Sequence, residues 1–210
     1  MQPRILFLGE VDYLDSFAWM KQFTDTRGAD TLDEFWVLNH PAVFTQGTSC
    51  DAQPMANEGT IPVVKTDRGG QITYHGPGQL IIYLLLDIKR LGIGPKRLVS
   101  CIESAIIALL GKLGITAVTR RGAPGVYVSG EKIAALGLRI RKGACYHGLS
   151  LNIDMDLSPF ERIDPCGYAG LKVTQIAAQK VGISPSQITD QLIDCLIDSI
   201  YSPIASEARA

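Results

Sequence analysis

The chain has 210 residues, 46% of them apolar and 20% charged, with a formal net charge of −1. This is ordinary globular usage, and the near-zero charge excludes bulk electrostatic attraction to nucleic acid or to an anionic membrane. No apolar run approaches the roughly 18 residues of a membrane span, Met1 to Gly9 does not read as a secretory leader, and the five cysteines lack a C-x-x-C pair, which points to a reducing cytoplasm rather than a disulfide framework or a metal site.

In chain order, Ile5 to Leu8 predicts a short strand. Asp12 is placed to cap a helix with Tyr13, Phe17 and Met20 on one face and Leu14 and Ala18 beside them. Glu34 to Asn39 predicts a strand that stops at His40-Pro41, because a residue before proline is pushed to extended geometry. A polar loop from Pro41 to Gly59 contains a short Val43-Phe44-Thr45 piece, and Ile61 to Thr66 is again a strand. The glycine-rich stretch Arg68 to Gln79 follows, and by itself it suits a hairpin turn as well as a ligand wall. Leu80 to Asp87 is almost wholly apolar, as for a central strand covered on both faces.

Pro95 to Leu113 is the clearest helix, with Leu98, Ile102, Ala105, Leu109 and Leu113 at helical spacing and Gly114 to end it. The period then changes to two. Val126 and Val128, then Leu138 and Ile140, then Cys145, His147, Leu149, Leu151 and Ile153 predict a three-stranded antiparallel meander. Asp154 to Lys172 is irregular, Thr174 begins a short helix, and Ser184-Pro185-Ser186-Gln187 is a capping-box pattern opening a last helix. The class is α/β with a mixed, largely antiparallel sheet, and no linker divides residues 1–210.

A nucleophile must be reachable. Cys101 and Cys195 sit beside helical apolar stripes, and Cys145 alternates in phase with Leu149 and Leu151, so all three suit packing. Cys50 and Cys166 fall in loops, and Pro165 and Gly167 bracket Cys166 as a pedestal would; a plain loop cysteine is the alternative. A thiol needs a base or a cation to make its thiolate. His75 and His147 are the usual kind of partner. Lys132 is the unusual kind: it enters the apolar run Ile133 to Gly137, where a desolvated lysine loses basicity, although a turn lysine is the alternative.

Four motifs, RGGQITYHGPGQL, GEKIAALGLR, HGLSLNID and DPCGY, occur in this order between about His40 and Thr174. Together they resemble the octanoyltransferases of lipoate biosynthesis. The resemblance implies a fold like the catalytic domains of biotin protein ligase and lipoate–protein ligase. Cys166 matches the cysteine that forms an acyl-thioester, and Lys132 the lysine that lowers its pKa. Arg68, Gly69, Gly70, Gln71, Ile72, Thr73, Tyr74 and His75 match one acyl-contacting segment; Ala135, Leu136 and Gly137 match a second, and Gly148, Leu149 and Ser150 a third. Ser150 stands where the family often has alanine, a small-for-small change.

The activity implied is cytoplasmic transfer of octanoyl from octanoyl acyl-carrier protein, through a Cys166 thioester, to a lysine amine. The implied acceptors are lipoyl domains of 2-oxoacid dehydrogenase complexes and the glycine cleavage H protein, with no cofactor, metal, nucleic acid or membrane involved. One catalytic domain spans residues 1–210 in this reading. His75 and His147 become positioning residues, and backbone N–H groups near Cys166-Gly167 or Gly69-Gly70 become candidates for an oxyanion hole. The alternatives are an ATP-dependent lipoate or biotin ligase on the same fold, and a non-catalytic acyl-binding module.

Overall fold

The computed structural model describes residues 2–50, 59–163, 171–179, 182 and 184–202. Strand β1 (Arg4–Glu10) leads to helix α1 (Tyr13–Thr26), where the Asp12 carboxylate accepts the Leu14 N–H. Strands β2 (Glu34–Asn39), β3 (Val43–Gln46), β4 (Val63–Lys65), β5 (Ile72–His75) and β6 (Gln79–Asp87) follow. Helix α2 (Pro95–Lys112) precedes β7 (Val118–Thr119), β8 (Val126–Val128), β9 (Glu131–Arg141) and β10 (Ala144–Asn152). Short 3-10 turns at Ser158–Arg162 and Ile176–Gln179 lead to α3 (Pro185–Tyr201), whose capping box between Ser184 and Gln187 forms as its residues predict.

Seven strands make the main sheet in the order β1-β2-β6-β10-β9-β8-β7, with β1 parallel to β2 and every other pair antiparallel. The expected meander is its β10-β9-β8 portion. Strand β6 is central and loses both faces to the core. Leu80, Ile82, Leu84 and Leu86 meet α2 and α3, while Ile81, Tyr83 and Leu85 meet α1. This is why the strand is apolar throughout instead of alternating.

Three expectations change. The glycine-rich stretch does not join its flanking strands as a hairpin, because β4 lies in a small second sheet, β4-β3-β5, and β6 in the main one. Part of that stretch is itself strand β5, paired with β3. In α1 the buried stripe is Tyr13, Ser16, Met20 and Thr24, and Leu14 is exposed, since the polar residues face the sheet at helical spacing. In β10, His147 leaves the phase of Cys145 and Leu149. Its φ of +59° turns the side chain to the α1 side, where it stacks on Tyr146 and Phe17.

Candidate active site

Three rungs of the main sheet form the floor of a cleft. The register aligns Gly137, Gly148 and Tyr83 across β9, β10 and β6; Ala135, Ser150 and Ile81 form the next rung, and Asn152 and Gln79 a third. Residues two apart on a strand share a face, so all of these point to the α1 side. The loop from Thr66 to Gln71 lies over β9 and β10 as a roof. Gly69 N–H donates to Leu138 O at 2.9 Å, and Asp67 accepts from His147 Nε2 at 2.9 Å and from the Tyr146 hydroxyl. The cleft between roof and floor has a volume of about 760 Å³, open mouth included.

Of the residues expected to contact the acyl group, Arg68, Gly70, Gln71, Ile72, Thr73, His75, Ala135, Leu136, Gly137, Gly148, Leu149 and Ser150 line this cleft, together with Lys132. Gly69 and Tyr74 do not. The Gly69 N–H is committed to Leu138 O, which also removes it as an oxyanion donor. Tyr74 alternates away from Thr73 and His75 and packs on Phe44 and Phe160. Cys166 and Gly167 lie outside the described residues.

Lys132 is 3% exposed. Its Nζ donates to Pro124 O at 3.1 Å and sits 5.3 Å from the centre of the Tyr127 ring. Gly125 makes room for it: a Cβ there would lie 3.0 Å from Lys132 Cε. The backbone on either side is paired with the segment that follows the Cys166 region. Lys132 N–H donates to Lys172 O, and Thr174 N–H donates to Lys132 O, both at 2.9 Å. Phe160 and Val173, which flank that region in the sequence, both line the cleft.

A chain of hydrogen bonds joins His75 to the same place. Gln79 Nε2 donates to Asn152 Oδ1 at 2.9 Å and to Tyr74 O, so its Oε1 is left to accept the His75 Nδ1–H at 2.7 Å. Asn152 Nδ2 donates to Thr174 O at 2.9 Å. With Nδ1 protonated, His75 Nε2 is an acceptor, and Thr45 Oγ1 stands 3.4 Å from it. Thr45 in turn receives Arg68 Nε at 3.0 Å, and its carbonyl receives Arg68 Nη2. Burial first, and then the neighbouring His40, lower the His75 pKa to about 3, so the ring is neutral.

His40 and His147 are held neutral by burial in the same way. Asp67 is partly buried, which raises its pKa, but the hydrogen bonds from His147 and Tyr146 outweigh this and lower it. Among the other cysteines, Cys101, Cys145 and Cys195 are buried, and burial pushes the Cys145 thiol up, away from thiolate chemistry.

Tyr13, Ile81, Tyr83, Asn152, Phe160 and Val173 also line the cleft and were not among the expected contacts. Asn152 had a signal: it continues the period of two from Gly148 and Ser150. Ile81 and Tyr83 had none, because a strand apolar on both faces does not show which one meets a ligand.

Residues 12–197 match the lipoyl protein ligase A/B catalytic domain family. An octanoyltransferase of Chromobacterium violaceum is 56% identical over 192 residues, covering 91% of this chain and 93% of that protein. Another, from Pseudomonas syringae pv. syringae, is 55% identical over 185 residues, 88% and 85% of the two chains. A lipoate-protein ligase A bound with ATP superposes with a TM-score of 0.78 at 16% identity, over 96% of this chain and 86% of the other. A biotin protein ligase from Aquifex aeolicus superposes at 0.56 with 12% identity, over 95% and 69%. At such identities the structural likenesses speak for the fold alone. The sequence relatives speak for more, and by them the chain belongs to the lipoyl protein ligase A/B catalytic domain family, on its octanoyltransferase branch.

Proposed function

We propose that the chain transfers an octanoyl group from octanoyl acyl-carrier protein to a lysine amine of a lipoyl domain, through a thioester on Cys166. The observation that carries the reading is the pairing of buried Lys132 with residues Lys172 to Thr174 at the edge of an apolar-lined cleft. Cys166 is three residues beyond Ile163 and six before Lys172, and Ile163 packs in the cluster that contains Phe160. Residues 1–210 act as one catalytic domain in this reading.

The steps balance without an external activator. The Cys166 thiol gives its proton to Lys132, and its sulfur attacks the donor thioester carbonyl. The carrier thiolate leaves and takes that proton back from Lys132, and octanoyl-Cys166 remains. An acceptor lysine, as the free amine, then attacks that thioester, its second proton passes to Lys132, and the Cys166 thiolate departs. A thioester-to-thioester exchange is nearly balanced and thioester-to-amide runs downhill, so no nucleotide is consumed. The work takes place in the cytoplasm, with lipoyl domains of 2-oxoacid dehydrogenase complexes and the glycine cleavage H protein as acceptors. His75, locked as the Nδ1–H tautomer by Gln79, positions the cleft wall.

Intact-mass analysis after incubation with octanoyl acyl-carrier protein, without ATP, tests the reading. A gain of one octanoyl group is expected; hydroxylamine should remove it, and Cys166→Ala should never acquire it. Acylation only when ATP and free acid are supplied would favour the ligase alternative and overturn the thioester route.

A further inference from the structure

We infer that Tyr83 is the residue that sets the acyl length this cleft accepts, and that His40 holds it in place for that purpose. The inference rests on the acyl-transfer reading and names a specificity determinant for it. Lining stops at one rung. Tyr83, Gly137 and Gly148 line the cleft, whereas the next rung along the strands, Leu85, Arg139 and Tyr146, contributes no lining residue. Two of the three residues of the last lining rung are glycines, so Tyr83 is the side chain that rung contributes, and the His147 ring, turned to the same side of β10, lies beside it.

The spacing fits eight carbons. The β9–β10 register runs to Leu151 against Ala134, with Asn152 and Lys132 just past that pair on the two strands, and Asn152 and Gly148 are four residues apart, which is about 13 Å at roughly 3.3 Å per residue. Subtracting a van der Waals contact of about 4 Å leaves about 9 Å. An extended octanoyl chain, with seven C–C bonds of about 1.5 Å, reaches about 9 Å along its axis. Two more methylenes would meet the Tyr83 ring.

The ring cannot easily swing aside. Tyr83 donates its hydroxyl proton to His40 Nε2 at 2.7 Å, and His40 Nδ1–H donates to Val11 O at 2.6 Å. The carbonyl acceptor settles the tautomer, so the His40 ring must present a bare Nε2 to Tyr83. His147 packs edge-on against Tyr83 with centroids 6.1 Å apart. Tyr83 and His40 are 5% and 0% exposed, so the hydrogen bond between them is shielded from solvent.

Offering the enzyme an equimolar mixture of six-, eight-, ten- and twelve-carbon acyl-carrier proteins, with a lipoyl domain as acceptor, tests this by the mass spectrum of the product. Wild type should yield chiefly octanoyl product. Tyr83→Leu should raise the ten-to-eight-carbon product ratio at least tenfold, the scale of one or two methylenes in an apolar pocket. His40→Leu, which leaves the Tyr83 ring in place but offers its hydroxyl no acceptor, should raise the ratio several-fold and serves if Tyr83→Leu fails to fold. An unchanged ratio in a folded variant overturns the inference while acyl transfer stands. Failure of wild type to transfer any chain overturns acyl transfer itself, and this inference with it.

Discussion

The side-chain amides of Gln79 and Asn152 meet at 2.9 Å although 73 residues separate them. Each spends its other atoms on a different element, Gln79 on His75 and Tyr74, and Asn152 on the Thr174 carbonyl. This pair joins the glycine-rich stretch to the segment that pairs with Lys132.

Because both residues are buried, Asn152→Ala or Gln79→Ala leaves partners unsatisfied and should cost about 1–3 kcal/mol in urea unfolding. The double variant should cost less than the sum of the singles, with a coupling of about 0.5–3 kcal/mol. Additive losses would show that the two amides do not act together.

Lys132→Ala should slow octanoyl-enzyme formation by about 10²–10⁴-fold, the range for a positioned proton acceptor. Cys101→Ala, in the α2 stripe, should leave the rate near wild type. Rapid-quench mass spectrometry of the first turnover gives both numbers, and equal losses would misplace the nucleophile's environment.

Neutral buried histidine makes stability depend on pH in a definite direction. His75 titrates near 3 when folded and near 6.5 in the unfolded chain. Between those values the unfolded state binds more protons, so stability falls as pH drops below about 6.5 and is complete above it. His75 alone contributes a loss of about 3 kcal/mol from pH 7 to pH 4. Urea melts of wild type and His75→Gln across that range should differ in slope, and parallel curves would refute the assignment.

Glycines separate close approach from mere composition. A Cβ at Gly148 would stand 2.0 Å from the Ile82 carbonyl oxygen, so Gly148→Ala must push β6 and β10 apart and should cost at least about 1–3 kcal/mol. Gly111, inside α2, has nothing within 4 Å of such an atom, and Gly111→Ala should stabilise by about 0.5–1 kcal/mol. Thermal melts of the two variants should move in opposite directions.

By itself the sequence determined the α/β class, the long helices with their caps and the antiparallel meander, and it singled out three motifs whose residues line the cleft. Those features rest on local periodicity, on turn and cap chemistry, and on motif order, all of which neighbours in the chain can express. The register of β6, β9 and β10 was decided only in three dimensions. It chose which face of the uniformly apolar β6 meets the cleft and made Tyr83 its end. The same holds for the left-handed turn at His147, which sends that ring to Asp67 against the alternation of its strand, and for the pairing of Gln79 with Asn152. Contacts of that kind depend on which distant strands come to lie side by side, and no single stretch of the chain carries that information.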